Sequence, residues 1–108
     1  MSISVNKLVT AAAVAILAGG CASTADQDAI EIERRLSAAG FQMKLANTPE
    51  KMEHLNRLGQ RRLVPMEKDG ATVFVYADAK GCKCVYVGSQ KNYQEYERLS
   101  IQQNVVDE

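Results

Sequence analysis

The stretch RRLVPMEKDGATVFVYADAKGCKCVYVG, residues 61–88, sets three apolar runs apart by two turn signals. Asp69-Gly70 is a two-residue hairpin turn of the primed type, which tolerates positive φ at both central positions. That turn pairs Met66 with Val73 and Val64 with Val75. The second signal, Ala79-Lys80-Gly81, predicts a three-residue loop with Gly81 at the left-handed position. It pairs Tyr76 with Cys84, Phe74 with Tyr86 and Val75 with Val85. Both registers sort the side chains onto the same two faces. One gathers Val64, Met66, Val73, Val75, Val85 and Val87; the other gathers Leu63, Pro65, Phe74, Tyr76, Cys82, Cys84 and Tyr86. A three-stranded antiparallel meander follows. The aliphatic face is expected to be the core. The aromatic face is either covered by a remaining helix or left open as a patch for a partner.

Outward from the meander, helical spacing takes over. Beyond it, Ser89 caps a helix expected over Gln90–Ile101, with Tyr93, Tyr96 and Leu99 or Ser100 on one side. The tail past Gln102 is expected to fray. Before the meander, Thr48-Pro49-Glu50 opens a helix: Thr caps, Pro needs no amide there, and Glu meets the positive dipole end. Met52, Leu55 and Leu58 form its stripe, and Gly59 is expected to end it. An earlier helix, capped by Asp26 or Asp28, buries Ala29, Ile32, Leu36 and Ala39 and stops at Gly40. Period-two alternation in Phe41–Leu45 predicts a short strand. The fold class is therefore α+β, in the order helix, strand, helix, three-stranded meander, helix.

Candidate chemistry centres on Cys82-Lys83-Cys84. Two residues apart on a strand, both sulfurs point to one face. Extended strand geometry puts their α-carbons near the upper limit for a disulfide. Four readings stay open: a redox-active bridge, a soft thiolate pair for copper or zinc, a bridge between two chains, and a passive structural pair. Phe74, Tyr76, Tyr86, Tyr93 and Tyr96 are the candidate partner-binding residues. His54, the single histidine, has Glu50 one turn away and no second imidazole to join it. No phosphate loop, nucleophile elbow or zinc cluster occurs, so no enzyme, catalytic residue or cofactor is expected.

At the N-terminus, Lys7 precedes the apolar run Leu8–Leu17, and Ala18-Gly19-Gly20 leads to Cys21. A run of ten residues, nine of them apolar, is about half of what a membrane-spanning helix needs. The three-part pattern is that of a secretory signal, and Leu17-Ala18-Gly19-Gly20-Cys21 resembles a bacterial lipobox. The family pattern places Leu three residues before the Cys, where this chain has Ala18. The resemblance implies a signal peptide over 1–20, lipid on Cys21, a tether over 21–27 and one domain over 28–108. Ala22 in the following position implies an outer-membrane anchor facing the periplasm. Leu36–Phe41, Thr48–Lys51 and Val75–Gly88 further resemble small lipoproteins of Gram-negative bacteria, a likeness that implies no particular activity. A fainter likeness, of architecture alone, is to outer-membrane assembly lipoproteins with helices on a meander.

Without residues 1–20 the chain keeps 12 basic and 13 acidic residues. That balance carries no electrostatic footprint for nucleic acid. About 88 residues suffice for one domain with a modest, mostly aliphatic core. The functional expectation is a non-enzymatic, membrane-anchored envelope protein that binds or supports another envelope component. The alternative is thiol redox or soft-metal handling through Cys82 and Cys84.

Overall fold

The computed structural model describes residues 24–107; the expected signal segment over 1–20 and the expected lipid site Cys21 lie outside the described residues. The architecture is α+β. Its elements are α1 (Thr24–Ala38), β1 (Gln42–Leu45), α2 (Pro49–Arg57), β2 (Leu63–Lys68), β3 (Ala71–Asp78), β4 (Cys84–Ser89) and α3 (Gln90–Asp107). This is the predicted order with one correction to the sheet. Four strands pair antiparallel in the order β1-β4-β3-β2, because β1 adds to the edge of β4 with Lys44 opposite Val85. Pairing there satisfies backbone groups that a lone strand would leave to water.

The first hairpin has the expected register, Met66 opposite Val73 and Val64 opposite Val75. Asp69 and Gly70 carry the positive φ that a primed turn needs, 53° and 81°. The second hairpin departs by two residues: Tyr76 faces Tyr86, Phe74 faces Gly88 and Cys84 faces Asp78. A slip of two preserves the faces, so the sorting of side chains survives. The connection is consequently longer, and Cys82 lies in it rather than on the strand. Lys83, not Gly81, takes the left-handed conformation, with φ 54°.

Which face forms the core is the larger correction. Tyr76, Tyr86 and Cys84 are buried with Leu36, Ala39 and Phe41, and Ile32, Leu63, Phe74, Tyr93, Tyr96 and Leu99 pack around them. Both long helices, α1 and α3, therefore cover the aromatic face. On the aliphatic face Val75 is buried, Val64, Val73, Val85 and Val87 are half-buried, and Met66 is exposed. The physical reason is area: aromatic rings bury far more surface per residue than valines, and Ala29 on α1 and Ala39 just past its end are small and buried. The short α2 contributes one buried residue, Leu55.

Helix ends are fixed by specific bonds. At the end of α1 the Phe41 amide donates to Leu36 O and the Gly40 amide to Ser37 O, with Gly40 at φ 98°. This closes orphan carbonyls and seats Phe41 against Leu36. Thr48 caps α2 as expected, accepting from the Lys51 amide at 3.2 Å. That helix ends at Leu58 in extended conformation rather than at Gly59, and the Gln60 side chain donates to Leu55 O and Leu58 O. Ser89 caps α3 through the Asn92 amide, while the Asn92 side-chain amide donates to Ala39 O just past the end of α1. Two end segments are more helical than expected. Residues 24–27 form the first turn of α1, where Asp26 pairs with Arg61, and α3 continues to Asp107.

Candidate functional site

Cys82 and Cys84 form a disulfide. Left-handed backbone at Lys83 favours it: it draws the α-carbons to 5.2 Å, well within the usual range for a bridge, whereas an extended strand would hold them at about 6.7 Å, near the upper limit. Holding a lysine there costs on the order of 1–2 kcal/mol. Both sulfurs are consumed within one chain, so the bridge between chains expected as one alternative is not the arrangement found. The two sulfurs differ sharply in access. Cys84 is fully buried, while Cys82 is half-buried and lines an open pocket of about 460 Å³.

Around the disulfide lies a polar cluster inside the apolar core. Glu33 projects from the buried stripe of α1 and is 8% exposed; Asp78 ends β3 and is 1% exposed. A Glu33 oxygen and both sulfurs lie within 4.8 Å of one another. The Tyr76 hydroxyl donates to Glu33 Oε2 at 3.3 Å. Asp78 Oδ1 accepts from Arg61 Nε at 3.1 Å and from the Gly81 amide at 2.8 Å. A Cβ added to Gly81 would stand 2.5 Å from Asp78 Oδ2, so this glycine serves close approach and not positive φ. Arg61 is placed by its own backbone. Its amide donates to Ala77 O at 2.7 Å, its φ is 55°, and its guanidinium also reaches Asp26 at 3.1 Å. Every buried side-chain nitrogen and oxygen among the described residues has a partner.

Charge in this cluster is shared unequally. Burial, then hydrogen bonding to Asp78 and the Asp78 charge, raise the Glu33 carboxyl from 4.5 to about 7. Burial also pushes Asp78 upward. Hydrogen bonds from Glu33, the Gly81 amide and Arg61, with the Arg61 charge, outweigh it and hold Asp78 below its usual value. Below about pH 7 the pair thus keeps one proton, on Glu33, and one negative charge, on Asp78 against Arg61. Burial and the Glu33 charge raise Tyr76, which remains a hydroxyl donor.

Glu33, Cys82 and Cys84 are also the group among the described residues whose donor atoms gather as a metal's ligands would. A disulfide presents no thiolate, so soft-metal binding there first requires reduction. His54 is exposed on α2 and belongs to a different, apolar hollow with Leu55 and Val85. The five aromatic residues expected to bind a partner all make ring contacts within the chain. Tyr76 and Tyr86 are buried and meet edge to face at 6.2 Å. Phe74 stacks on Tyr93 at 4.2 Å, and Tyr96 meets Phe41 at 6.4 Å. Phe74, Tyr93 and Tyr96 stay half-buried at the edge of that packing.

Sequence reasoning missed Glu33, Asp78 and Arg61 as a cluster. A signal for two of them was present. Glu33 falls four residues after Ala29 and three before Leu36, on the apolar stripe. Asp78 continues the Phe74-Tyr76 alternation onto the aromatic face. Arg61 gave none, since its position depends on a loop alongside the end of β3. No helix among the described residues is long and apolar enough to cross a membrane. No family model, curated protein or solved structure matches this chain.

Proposed function

We propose that this is a lipid-anchored protein of the outer membrane, facing the periplasm, whose working centre is the Cys82–Cys84 disulfide and whose chemistry is thiol–disulfide exchange with protein thiols. One observation carries the reading: a half-buried cysteine lining a pocket is joined to a fully buried one beside a buried carboxyl. A purely structural bridge across one residue would close too small a loop to constrain the unfolded chain much. It also requires Lys83 in an unfavourable conformation.

Accessibility orders the steps. A substrate thiolate attacks Cys82 Sγ from the pocket; the new S–S bond forms there as the Cys82–Cys84 bond breaks and its electron pair passes to Cys84 Sγ. A proton is then taken up by Cys84. A second substrate thiolate attacks the substrate sulfur of the mixed disulfide. Cys82 Sγ departs with the electron pair of that bond and takes a proton from solvent in the pocket; the substrate leaves oxidised, and Cys82 and Cys84 remain as thiols. Lys80, at the pocket rim, favours approach of the anionic nucleophile. An envelope partner enters as the thiol donor, not as an occupant of the aromatic face.

The anchor rests on the lipobox-like segment and Cys21. Metabolic labelling with a fatty acid is expected to mark the chain and to be lost in Cys21→Ser; label retained in that variant contradicts the anchor. The exchange reading is tested by asking whether the folded chain's disulfide equilibrates with a thiol redox buffer, read by alkylation and intact mass.

A further inference from the structure

We propose that Glu33 gives the proton to Cys84 when the disulfide opens and takes it back when the disulfide closes. The inference rests on the exchange reading above and supplies its proton path.

Cys84 has no solvent exposure, so the leaving sulfur has no water to protonate it. Asp78 stands directly opposite Cys84 in the β3–β4 register and is equally buried. A Cys84 thiolate would therefore form beside an existing carboxylate, and like charges in such a site are strongly disfavoured. Within 4.8 Å of both sulfurs lies the one acid of the cluster not paired with Arg61, Glu33. Glu33 also lines the pocket that opens past Asp26 and Lys80, which gives it exchange with solvent that Cys84 lacks. A carboxyl raised to about 7 can serve in either direction near neutral pH.

The groups that face Glu33 are Tyr76 and Asp78 from β3, Arg61 from the preceding loop, Cys82, Lys80 and Cys84 from the β3–β4 connection and β4, and Asp26 on its own helix. In the opening step the Glu33 O–H bond breaks as an S–H bond forms on Cys84, and Tyr76 donates to the carboxylate left behind. In the closing step Cys84 Sγ attacks the mixed disulfide while its proton returns to Glu33. The substrate thiol is the leaving group and the Cys82–Cys84 bond re-forms.

The test is the rate at which dithiothreitol reduces the disulfide of the folded full chain between pH 5.5 and 9, each rate divided by the reagent's thiolate fraction. For the unaltered chain the normalised rate is expected to fall by about tenfold as pH rises through about 7, a modest effect for general acid catalysis because a thiolate is already a fair leaving group. Glu33→Gln, with unchanged near-ultraviolet dichroism, is expected to be flat and slow across the range. Tyr76→Phe removes a bond that favours the carboxylate, so its midpoint is expected to move upward. A Glu33→Gln profile that keeps the decline overturns the proposal. So does an unmoved midpoint in Tyr76→Phe, the deciding result if Glu33→Gln fails to fold. A disulfide that no dithiol reduces at any of these pH values, in the unaltered folded chain, instead defeats the exchange reading itself.

Discussion

At the scale of residues, three buried or half-buried ionisable groups, Glu33, Asp78 and Arg61, share one space, and Arg61 decides whether that is tolerable. Its guanidinium is the cation against Asp78, which has 2% of its side chain exposed, and it bonds Asp26 as well. Removing one partner of such a pair leaves the other charge desolvated. Arg61→Met is therefore expected to destabilise by about 3 kcal/mol, less than a fully buried pair because the Arg61 side chain is 23% exposed. Adding Asp78→Asn should recover part of that loss, since it removes the stranded charge. Urea denaturation of the single and double variants checks both statements. A double variant less stable than Arg61→Met would show that charge is not the cause.

At the scale of elements, the two sheet faces are covered unequally: α1 and α3 enclose the aromatic one, while on the other Val75 and Ala77 are buried and Met66 is not. Leu36 on α1 is fully buried against Tyr76 and Tyr86, whereas Met66 on β2 is 42% exposed. Leu36→Ala should cost about 3 kcal/mol, and Met66→Lys within about 0.5 kcal/mol, measured by thermal melting. The reverse ranking would place the core on the valine face. That assignment was not legible in the sequence. Period-two alternation sorted Val64, Val73 and Val75 from Phe74, Tyr76 and Tyr86 correctly, and the Asp69-Gly70 turn pinned the first hairpin. Alternation does not say which face the helices choose, because both sets are apolar. The second register failed for a local reason. Lys83 takes the left-handed turn that Gly81 was expected to supply, and the disulfide and the Asp78–Gly81 bond fix a longer loop. Helix caps at Thr48, Ser89 and Gly40 were legible because each is a single residue acting on its own neighbours.

At the scale of the whole molecule, the fold spends its two long helices on burying one sheet face. In doing so it encloses Cys84 and leaves Cys82 at a pocket mouth. The sequence located the cysteine pair but not this asymmetry, which arises only when α1 brings Glu33 across the end of β3. The most direct measurement of the account's central claim is equilibration of the folded full chain with mixtures of reduced and oxidised glutathione, quenched by acid, alkylated and read by intact mass and peptide mapping. The account predicts reversible opening with native dichroism retained, and glutathione trapped on Cys82 in the mixed disulfide. A bridge that opens only when the chain unfolds, or glutathione trapped on Cys84 instead, would contradict it.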